Sequence, residues 1–528
     1  MPIESTVPRL VLGAAERFGE ASAVEDGDAR LSFSGLARAG LEAARAFTAA
    51  GVVPGDRVAI WAPNVHEWIV AAIGVHCAGG VLVTLNTRFK GAEAAYVLRK
   101  SGARVLCTLG EFLGTRYVEL LKDQELPDLE RVVVLRGEAP GAQAWAEFLA
   151  GGATVPEADA RARAEAVSPD DLSDLLFTSG TTGHPKGVMT CHGQNLRAFE
   201  TWSEVVGLRE GDRYLVVNPF FHSFGYKAGW LASLMRGATV LPQAVFEVPE
   251  VLERIGRDRV SMLPGPPTLY QAILAHPERD RHDLSSLRLA VTGAAAIPVE
   301  LIQRMREELG FETIITGYGL TETCGIVSMC RYDDDPETIA TTSGRPIPGV
   351  EVRCIDSDGK EVPRGEPGEV VVRGYNVMQG YFDDAAATAE TVDADGWLHT
   401  GDVAVMDERD YLRITDRIKD LFIVGGFNCY PAEIENLLFG HEGVAQAAVI
   451  GVPDARMGEV GMAFVVPAPD AELDEAALVG WCREHMANYK VPRFVEVVEE
   501  LPTNASGKVT KFVLREKARE RLGSPPTA

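Results

Sequence analysis

The sequence repeats one pattern several times: an apolar run, a turn rich in glycine, and then an amphipathic helical stretch. Residues 56–64 and 66–86 contain this pattern, and residues 213–225 and 288–309 repeat it. Short apolar runs that alternate with helices predict buried parallel strands with helices on the faces of the sheet. Sheets of this type bind ligands at the C-terminal ends of their strands, where we expect glycine loops that lead into helices.

After about Thr341 the sequence changes character. Residues 368–384 and 401–417 read as short strands separated by Gly and Asp turns, and beyond Lys419 the order is strand, helix, strand, strand, helix. We therefore predict an α/β protein with a large N-terminal domain of parallel-rich sheets, packed helices and a small β-rich subdomain. A small α+β C-terminal domain follows, so the predicted domains are residues 1–416 and 417–528.

Charge and composition exclude several classes of protein. The chain has 528 residues, 46% of them hydrophobic, and a net charge of -25, which argues against nucleic acid or an anionic membrane as a partner. The N-terminus lacks the basic and apolar regions of a signal peptide, and the longest apolar stretch, Trp68 to Val83, is too short to span a bilayer. The eight cysteines are scattered without zinc-site spacing. These features predict a cytoplasmic protein, and they leave the oligomeric state open, a homodimer included.

One loop combines small, hydroxyl-bearing and cationic residues. The stretch LLFTSGTTGHPKGVM, residues 175–189, ends an apolar run with glycines, hydroxyl side chains and Lys186. Glycine lets successive backbone N–H groups converge on an anion, and hydroxyls and a lysine add donors and charge. The spacing differs from the P-loop pattern, because Gly183 precedes Lys186 by three residues and no Ser or Thr follows the lysine. On its own, the loop fits a phosphate cradle or an ordinary glycine turn.

Five motifs in a fixed order decide between these alternatives. The chain resembles the adenylate-forming acyl- and aryl-CoA synthetases over nearly its whole length. The motifs that carry the resemblance are TSGTTGHPKGV (178–188), GYGLTETCG (317–325), GWLHTGDVA (396–404), ITDRIKDLFIVGGFNCYPAEIE (414–435) and LPTNASGKVTKFVLR (501–515).

The resemblance implies a site for ATP with Mg²⁺. Glu322 and Thr181 match the residues that hold the metal on the phosphates, Tyr318 matches the aromatic residue against adenine, and Asp402 with Arg417 matches the ribose site. The implied nucleotide-binding residues are Thr178, Ser179, Gly180, Thr181, Thr182, Gly183, Lys186, Gly293, Ala294, Ala295, Gly317, Tyr318, Gly319, Thr321, Asp402, Ile414, Arg417 and Lys508.

The resemblance also implies a two-step reaction and a mobile C-terminal domain. Lys508 matches the family's catalytic lysine, and with Glu322, Thr181 and Lys186 it completes the implied catalytic set. Lys419 matches the hinge about which the small domain rotates between adenylation and attack by CoA. The residues implied at the thiol tunnel are Gly425, Gly426 and Phe427.

The acid site is predicted from the segment NPFFHSFGYKAG and from the loop around residue 265. The predicted lining residues are Phe221, His222, Gly225, Tyr226, Lys227 and Gly265. A carboxylate substrate is already ionised at neutral pH, so His222 is expected to line or gate the site and a structural role is left open for it. Lys227 is predicted either to meet a polar group of the acid or to turn outward from its helix.

The sequences of these segments resemble those of the actinobacterial CoA ligases that activate a steroid-derived bicyclic propanoate. The resemblance thus implies a carboxylic acid, ATP and CoA as substrates. A medium-chain fatty-acid or aryl-acid ligase, a carrier-protein-loading enzyme and a catalytically dead nucleotide sensor stay open as alternatives. Retention of Glu322, Asp402, Arg417 and Lys508 argues against the sensor. Free CoA is favoured over a carrier thiol because residues 365–420 look compact and no carrier segment follows.

Overall fold

The computed structural model describes residues 5–178, 185–293, 297–417, 420–424, 427–454, 456–469, 471–486, 488–503 and 509–522, with backbone only at 416, 417, 427 and 428. The described chain packs into two compact units. The first unit comprises residues up to 352 together with 372–398, and the second comprises 353–371 together with the residues from 399 onward.

The helices are α1 Val7–Phe18, α2 Phe33–Ala49, α3 His66–Cys77, α4 Gly91–Ser101, α5 Tyr117–Leu120, α6 Trp145–Gly151, α7 Glu157–Ala166, α8 His192–Val206, α9 Ala232–Arg236, α10 Val248–Arg257, α11 Pro267–Ala275, α12 Val299–Glu307, α13 Pro336–Thr341, α14 Ala385–Thr391, α15 Pro431–Leu438, α16 Glu475–His485 and α17 Lys511–Leu522. A π-helix spans Phe224–Leu231, and 3-10 turns span Gly152–Thr154, Arg279–Arg281 and Thr321–Thr323.

The strands are β1 Ser22–Asp26, β2 Ala29–Ser32, β3 Arg57–Trp61, β4 Val81–Thr84, β5 Val105–Thr108, β6 Arg131–Val134, β7 Gln143–Ala144, β8 Leu172–Thr178, β9 Lys186–Cys191, β10 Arg213–Val216, β11 Thr239–Pro242, β12 Leu289–Gly293, β13 Thr313–Tyr318, β14 Ser328–Met329, β15 Arg345–Pro346, β16 Val350–Ile355, β17 Pro367–Gly374, β18 Gly380–Tyr381, β19 Leu398–Met406, β20 Leu412–Arg417, β21 Phe422–Val424, β22 Phe427–Cys429, β23 Val444–Asp454, β24 Gly458–Pro467 and β25 Phe494–Val497.

An eight-stranded sheet forms the centre of the first unit. Its order is β18-β9-β8-β4-β3-β5-β6-β7, and the pairs from β8 through β7 are parallel. Helix α3 is apolar around its whole circumference, and every residue from Trp68 to Cys77 is buried. The apolar runs therefore form parallel strands with helices packed against them, as the alternation predicts.

Two four-stranded sheets complete the sheets of the first unit. Their orders are β10-β11-β1-β2 and β12-β13-β14-β15. Isolated bridges join Met262 to Tyr214 and to Leu289, so the chain around residue 262 links β10 with β12. The parallel pair β12 and β13 is in register, with Gly293 opposite Gly317.

The connection after β8 departs from the general pattern of strand, glycine turn and helix. The glycine loop joins β8 to β9, which are antiparallel, and Thr178 lies opposite Lys186. The hairpin geometry instead places Lys186 at the base of the loop, directly across from Thr178.

The second unit contains two sheets. Most of the sheet β16-β17-β19-β20 lies in it, and the other sheet has the order β22-β21-β24-β23 with β25 parallel to β24. The predicted strand, helix, strand, strand and helix are β21, α15, β23, β24 and α16, while β22, β25 and α17 were not predicted. Residues 353–371 and 399–416 group with this unit, so it begins earlier along the chain than the predicted boundary at 416. The hinge at Lys419 lies outside the described residues and stays a prediction.

No helix in the described ranges is both long enough and apolar enough to cross a membrane.

Candidate active site

The predicted phosphate loop follows the C-terminal end of a parallel strand. Strand β8 ends at Thr178, and β9 begins at Lys186. Both residues are half-buried. The predicted loop residues Ser179, Gly180, Thr181, Thr182 and Gly183 lie outside the described residues.

The predicted adenine side of the site lies at the ends of β12 and β13. A Cβ atom at Gly293 would lie 2.9 Å from the carbonyl oxygen of Gly317, and Gly293 has a φ of +154°. Both the close approach and the backbone angle favour glycine here. Tyr318 is half-buried at the end of β13, and its backbone carbonyl accepts a hydrogen bond from Val327 N–H at 2.8 Å. Ala294 and Ala295 lie outside the described residues.

Glu322 lies in the 3-10 turn that follows β13. Thr323 closes this turn, since its Oγ1 accepts from Leu320 N–H at 3.0 Å. The backbone at Gly319 lies close to that at Gly325. A Cβ atom at Gly319 would lie 2.3 Å from the carbonyl oxygen of Gly325. Thr321 is half-buried in the same turn. The backbone thus holds Glu322 at the end of β13, close in sequence to the predicted adenine residue.

Tyr381 joins the two charged residues of the predicted phosphate site. Its hydroxyl donates to Glu322 Oε1 at 3.0 Å, and its ring centroid lies 4.8 Å from Lys186 Nζ. Burial raises the pKa of Tyr381 well above its usual value, and the charge of Glu322 adds to the shift. The phenol therefore stays protonated and donates at neutral pH. Sequence reasoning did not select Tyr381.

The predicted ribose residues lie in the second unit. Asp402 is buried on β19, and its Cα lies opposite that of Arg417 on β20. Directly opposite residues of an antiparallel pair share one face of the sheet. Thr400 Oγ1 accepts from Asp402 N–H at 3.1 Å and donates to the carbonyl oxygen of Val370 at 2.7 Å. Ile414 is half-buried and pairs with Ala404.

Phe221 and His222 precede the π-helix. The carbonyl oxygen of Phe221 accepts from Thr84 Oγ1 at 2.7 Å, which ties this segment to the C-terminal end of β4. His222 is exposed, and its Nδ1 accepts from Phe224 N–H at 3.2 Å. A ring nitrogen that accepts from the backbone fixes the orientation of the imidazole, which suits a wall residue. Gly265 N–H donates to the carbonyl oxygen of Val291 at 3.0 Å, so this loop lies beside β12.

The structure corrects the predicted acid site at Tyr226 and Lys227. Both side chains are completely buried, so neither faces a ligand cavity in this structure. Lys227 Nζ lies 3.0 Å from Asp174 Oδ1 and 3.0 Å from Thr190 Oγ1, while Tyr226 Oη lies 3.0 Å from His76 Nε2. The ammonium is neutralised inside the protein. Both predictions for Lys227, contact with the acid and an outward orientation, are therefore wrong.

Gly225 is also buried, and a Cβ there would lie 2.2 Å from the carbonyl oxygen of Pro219. This glycine allows the start of the π-helix to pack against the preceding loop.

Besides Thr181, the predicted catalytic, hinge and CoA residues Lys508, Lys419, Gly425 and Gly426 lie outside the described residues. Phe427 lies in β22 and pairs with Val424 of β21.

A cluster of potential metal ligands lies elsewhere in the first unit. It consists of Asp26, His66 and Glu67. Arg136 lies within this cluster: its Nη2 is 2.7 Å from Glu67 Oε2 and also contacts Asp26 and His66. The guanidinium already supplies the positive charge that these carboxylates require, so the cluster is an internal ion-pair network.

Two family models match the chain. The model of the AMP-binding enzyme covers residues 13–382, and the model of the AMP-binding enzyme C-terminal domain covers residues 433–508.

Two curated relatives share half of their residues with this chain. The 3-[(3aS,4S,7aS)-7a-methyl-1,5-dioxo-octahydro-1H-inden-4-yl]propanoyl:CoA ligase of Rhodococcus jostii is 51% identical over 98% of this chain and 99% of the relative. The ligase of the same name from Mycobacterium tuberculosis is 50% identical over 97% of this chain and 98% of the relative. A feruloyl-CoA synthase of Amycolatopsis is 40% identical over 94% of this chain and 96% of the relative.

Among solved structures, the anthranilate CoA ligase AuaEII in complex with anthranoyl-AMP superposes with a TM-score of 0.88 at 30% identity, covering 99% of both chains. The fatty acyl CoA synthetase of Mycobacterium tuberculosis superposes with a TM-score of 0.74 at 29% identity, over 98% of this chain and 99% of that one.

Proposed function

This chain belongs to the AMP-binding enzyme family and is an acyl-CoA ligase that works through an acyl-adenylate, and we propose that its acid is a steroid-derived bicyclic propanoate that carries ketones. The observation that supports this substrate is the identity of 51% and 50%, over nearly the whole chain, to two ligases named for such an acid. Identity falls to 40% for a feruloyl-CoA synthase and to 32% for a medium-chain acyl-CoA ligase. The aryl and fatty-acid alternatives therefore have weaker support.

The reaction activates a poor acylating agent in two steps. A carboxylate oxygen of the acid attacks the α-phosphorus of ATP, a new P–O bond forms, and the bond to the β-phosphate breaks with release of pyrophosphate. The thiol of CoA then attacks the acyl carbon, AMP leaves with the electron pair of the broken C–O bond, and the thiol proton passes to solvent. ATP and CoA are thus co-substrates.

Glu322 suits a hard divalent cation. Mg²⁺ prefers oxygen ligands and is often held by one or two carboxylates together with substrate phosphates. The Glu322 carboxylate is half-buried, and the hydrogen bond from Tyr381 to Oε1 fixes its orientation. We assign Mg²⁺ to Glu322, with Thr181 as a second contact. When bound, the ion would neutralise part of the charge on the triphosphate.

Lys186 and the loop before it are assigned to the phosphates. The ammonium lies beside the base of the glycine loop, since Lys186 pairs with Thr178 across the hairpin. Pre-oriented donors of this kind stabilise charge that develops in a transition state. Asp402 and Arg417 are assigned to the ribose, because an acceptor-only carboxylate suits a diol.

Lys508 is assigned to adenylation and Lys419 to the hinge between the two steps. A lysine that contacts both the carboxylate and the α-phosphate would position the reactants and stabilise the transition state. Lys508→Ala should slow pyrophosphate release at least ~10²-fold, the scale of a lost electrostatic stabiliser. Thioester formation from supplied acyl-adenylate should survive. Lys517→Ala is the matched control, because Lys517 is exposed on α17.

Lys419→Pro should show the reverse bias, since proline fixes a backbone dihedral at the proposed hinge. Adenylation would be retained while transfer to CoA slows. Equal loss of both half-reactions in Lys508→Ala would reject the assignment of separate roles.

The substrate test is a competition among acids. The purified protein is incubated with ATP, Mg²⁺ and a panel that contains the indane-dione propanoate, the same bicycle without ketones, graded fatty acids and benzoates, each with and without CoA. Mass spectrometry measures AMP, pyrophosphate and thioester. The proposal expects the diketone to have the highest kcat/KM and the ketone-free bicycle to fall below it.

Three other outcomes would replace the proposal. A fatty acid or benzoate with higher kcat/KM would assign the alternative substrate class. Adenylate that accumulates without transfer to CoA would indicate a carrier-protein loader. Absence of adenylate with every acid, together with retained ATP binding, would indicate a nucleotide sensor.

A further inference from the structure

A short strand from late in the first unit reaches the start of β9. Strand β18 pairs antiparallel with β9, so that Gly380 lies opposite Met189 and Tyr381 lies opposite Val188. Hydrogen bonds from Gln379 N–H to Met189 O at 2.9 Å and from Phe382 N–H to Gly187 O at 2.7 Å extend this pairing. Positions two residues apart on a strand share a face, so Tyr381 lies diagonally from Lys186 on the same face of the sheet.

The same strand also contacts the turn of Glu322. Met378 N–H donates to the backbone carbonyl of Glu322 at 2.8 Å, and Tyr381 Oη donates to its carboxylate. Tyr381 is only 8% exposed and packs with Met378 and Val188 in a small apolar cluster. One buried side chain is therefore held against both Lys186 and Glu322 by backbone hydrogen bonds on each side.

Tyr381 contacts two side chains of opposite charge. Within the part of the chain that the structure describes, Lys186 and Glu322 form no ion pair with each other, and the ammonium lies over the face of Tyr381. An aromatic face attracts a cation through its quadrupole without using the N–H donors of the ammonium as a carboxylate would. The hydroxyl in turn uses one oxygen of the carboxylate and leaves the other to accept a further partner.

We propose that Tyr381 is a positioning residue that holds Lys186 and Glu322 apart and oriented for the triphosphate of ATP and its Mg²⁺. A direct Lys186–Glu322 ion pair would have to break each time the metal-bound nucleotide enters the site. Tyr381 prevents that self-neutralisation. The inference rests on the proposed phosphate and metal roles of Lys186 and Glu322.

Two substitutions separate the two contacts of Tyr381. Tyr381→Phe removes the hydrogen bond to Glu322 and keeps the ring beneath Lys186. Tyr381→Leu removes both contacts and lets Lys186 reach Glu322. Tyr332→Phe and Tyr332→Leu are matched controls, since Tyr332 is 72% exposed.

Binding is measured by calorimetry without acid or CoA, so that no turnover occurs. Hydrogen bonds to charged groups predict about tenfold weaker binding of Mg²⁺–ATP by Tyr381→Phe, and about thirtyfold weaker binding by Tyr381→Leu is expected because the cation–π contact is also lost. The Mg²⁺ concentration for half-maximal ATP binding should rise in parallel. Affinity for AMP, which lacks the β- and γ-phosphates, should change less than twofold, and the Tm of Tyr381→Phe, which keeps the buried ring, should stay near that of Tyr332→Phe.

Glu322→Gln distinguishes failure of this inference from failure of the site. If Glu322→Gln weakens Mg²⁺–ATP binding and Tyr381→Phe does not, Tyr381 is not a positioning residue. Equal losses for AMP and Mg²⁺–ATP in the Tyr381 variants would also overturn the inference, because they would indicate general damage. If Glu322→Gln leaves Mg²⁺–ATP binding unchanged, the proposed metal role of Glu322 is wrong and the inference falls with it.

Discussion

Two lysines connected with the same strand have opposite surroundings. Lys186 begins β9 and is half-buried, with its ammonium 4.8 Å from the ring centroid of Tyr381. Lys227 is completely buried, and it reaches Thr190 of β9 and Asp174 of β8 at 3.0 Å each. The charge of Lys227 is neutralised inside the fold by Asp174, whereas that of Lys186 lies over an aromatic ring. An identical residue type thus serves internal structure at one end of the hairpin, and at the other end it is the residue we propose for phosphate binding.

The buried lysine belongs to a saturated network. Asp174 accepts from Lys227, from Thr190 Oγ1 at 2.7 Å and from Asn195 Nδ2 at 2.6 Å. Charges taken out of water are tolerated only when paired and hydrogen-bonded in this way. The network joins β8, β9, α8 and the π-helix, which are the elements that carry the phosphate loop and the predicted acid site. It therefore holds together the elements on which both predicted sites lie.

The largest expected effect comes from breaking the buried pair. Asp174→Ala leaves the Lys227 ammonium uncompensated, which should lower the free energy of unfolding of the first unit by about 3–5 kcal/mol. Urea denaturation followed by tryptophan fluorescence measures this change. Asp174→Asn combined with Lys227→Met removes both charges and should recover part of the loss. If Asp174→Ala had the same free energy of unfolding as the wild type, the buried pair would not stabilise the first unit.

Lys186→Met should lower activity and leave stability nearly unchanged. We expect adenylation to slow about 10²-fold, the effect of losing one electrostatic donor in an active site, while Tm stays within a degree or so of the wild type. Pyrophosphate release and scanning calorimetry give the two values. Lys122→Met, at an exposed position, controls for loss of a surface charge. A large fall in Tm with normal adenylation would make Lys186 a second structural lysine and remove the contrast.

Two buried histidines, His76 and His192, should make the stability of the first unit depend on pH. Burial lowers the pKa of His76 to about 3, aided by the charge of Lys227, and burial lowers that of His192 to about 3, aided by His76. Histidine in the unfolded chain has a pKa of about 6.5. Below that pH, and down to the pKa of about 3 in the folded protein, the unfolded state binds more protons than the folded state, so stability falls as pH falls.

Each of these histidines should cost roughly 1 kcal/mol of stability between about pH 6.5 and 5.5. Denaturation curves over that range should show the loss, and His76→Gln should remove the part of it that His76 contributes. His282→Gln, outside the core, should leave the slope unchanged. A pH-independent stability in the wild type would mean that neither imidazole is held neutral.

Much of the fold could be predicted because its signal is local. The alternation of apolar runs and helices predicts the parallel strands β3, β4 and β12 with their helices, and β21, α15, β23, β24 and α16 follow residue 420 in the predicted order. The connection after β8 departs from the general pattern of strand, turn and helix, because residues 186–191 are apolar and hydroxyl-bearing and suit either a strand or the start of a helix. The π-helix has no sequence signature that separates it from an α-helix.

The missed contacts are non-local. Tyr381 lies far along the chain from both Lys186 and Glu322, and a lone tyrosine in a glycine turn does not identify its neighbours. The Asp174–Lys227 pair did leave a signal. Each is the sole charged residue in an otherwise apolar stretch, LSDLLFT and SFGYKAGWLASLM, and a buried charge requires an opposite partner. Pairing isolated opposite charges would have predicted this contact and corrected the outward orientation of Lys227.

The path of the chain has a consequence for synthesis on the ribosome. The chain passes between the two units three times, at residues 352–353, 371–372 and 398–399. Since translation proceeds from the N-terminus, residues 353–371 of the second unit are made before β18, and β9 has no partner on its outer edge until then. An unpaired strand edge invites pairing with other chains. The nascent protein therefore exposes an unpaired edge on the strand that follows its predicted phosphate loop, until Gly380 and Tyr381 are made and pair with β9.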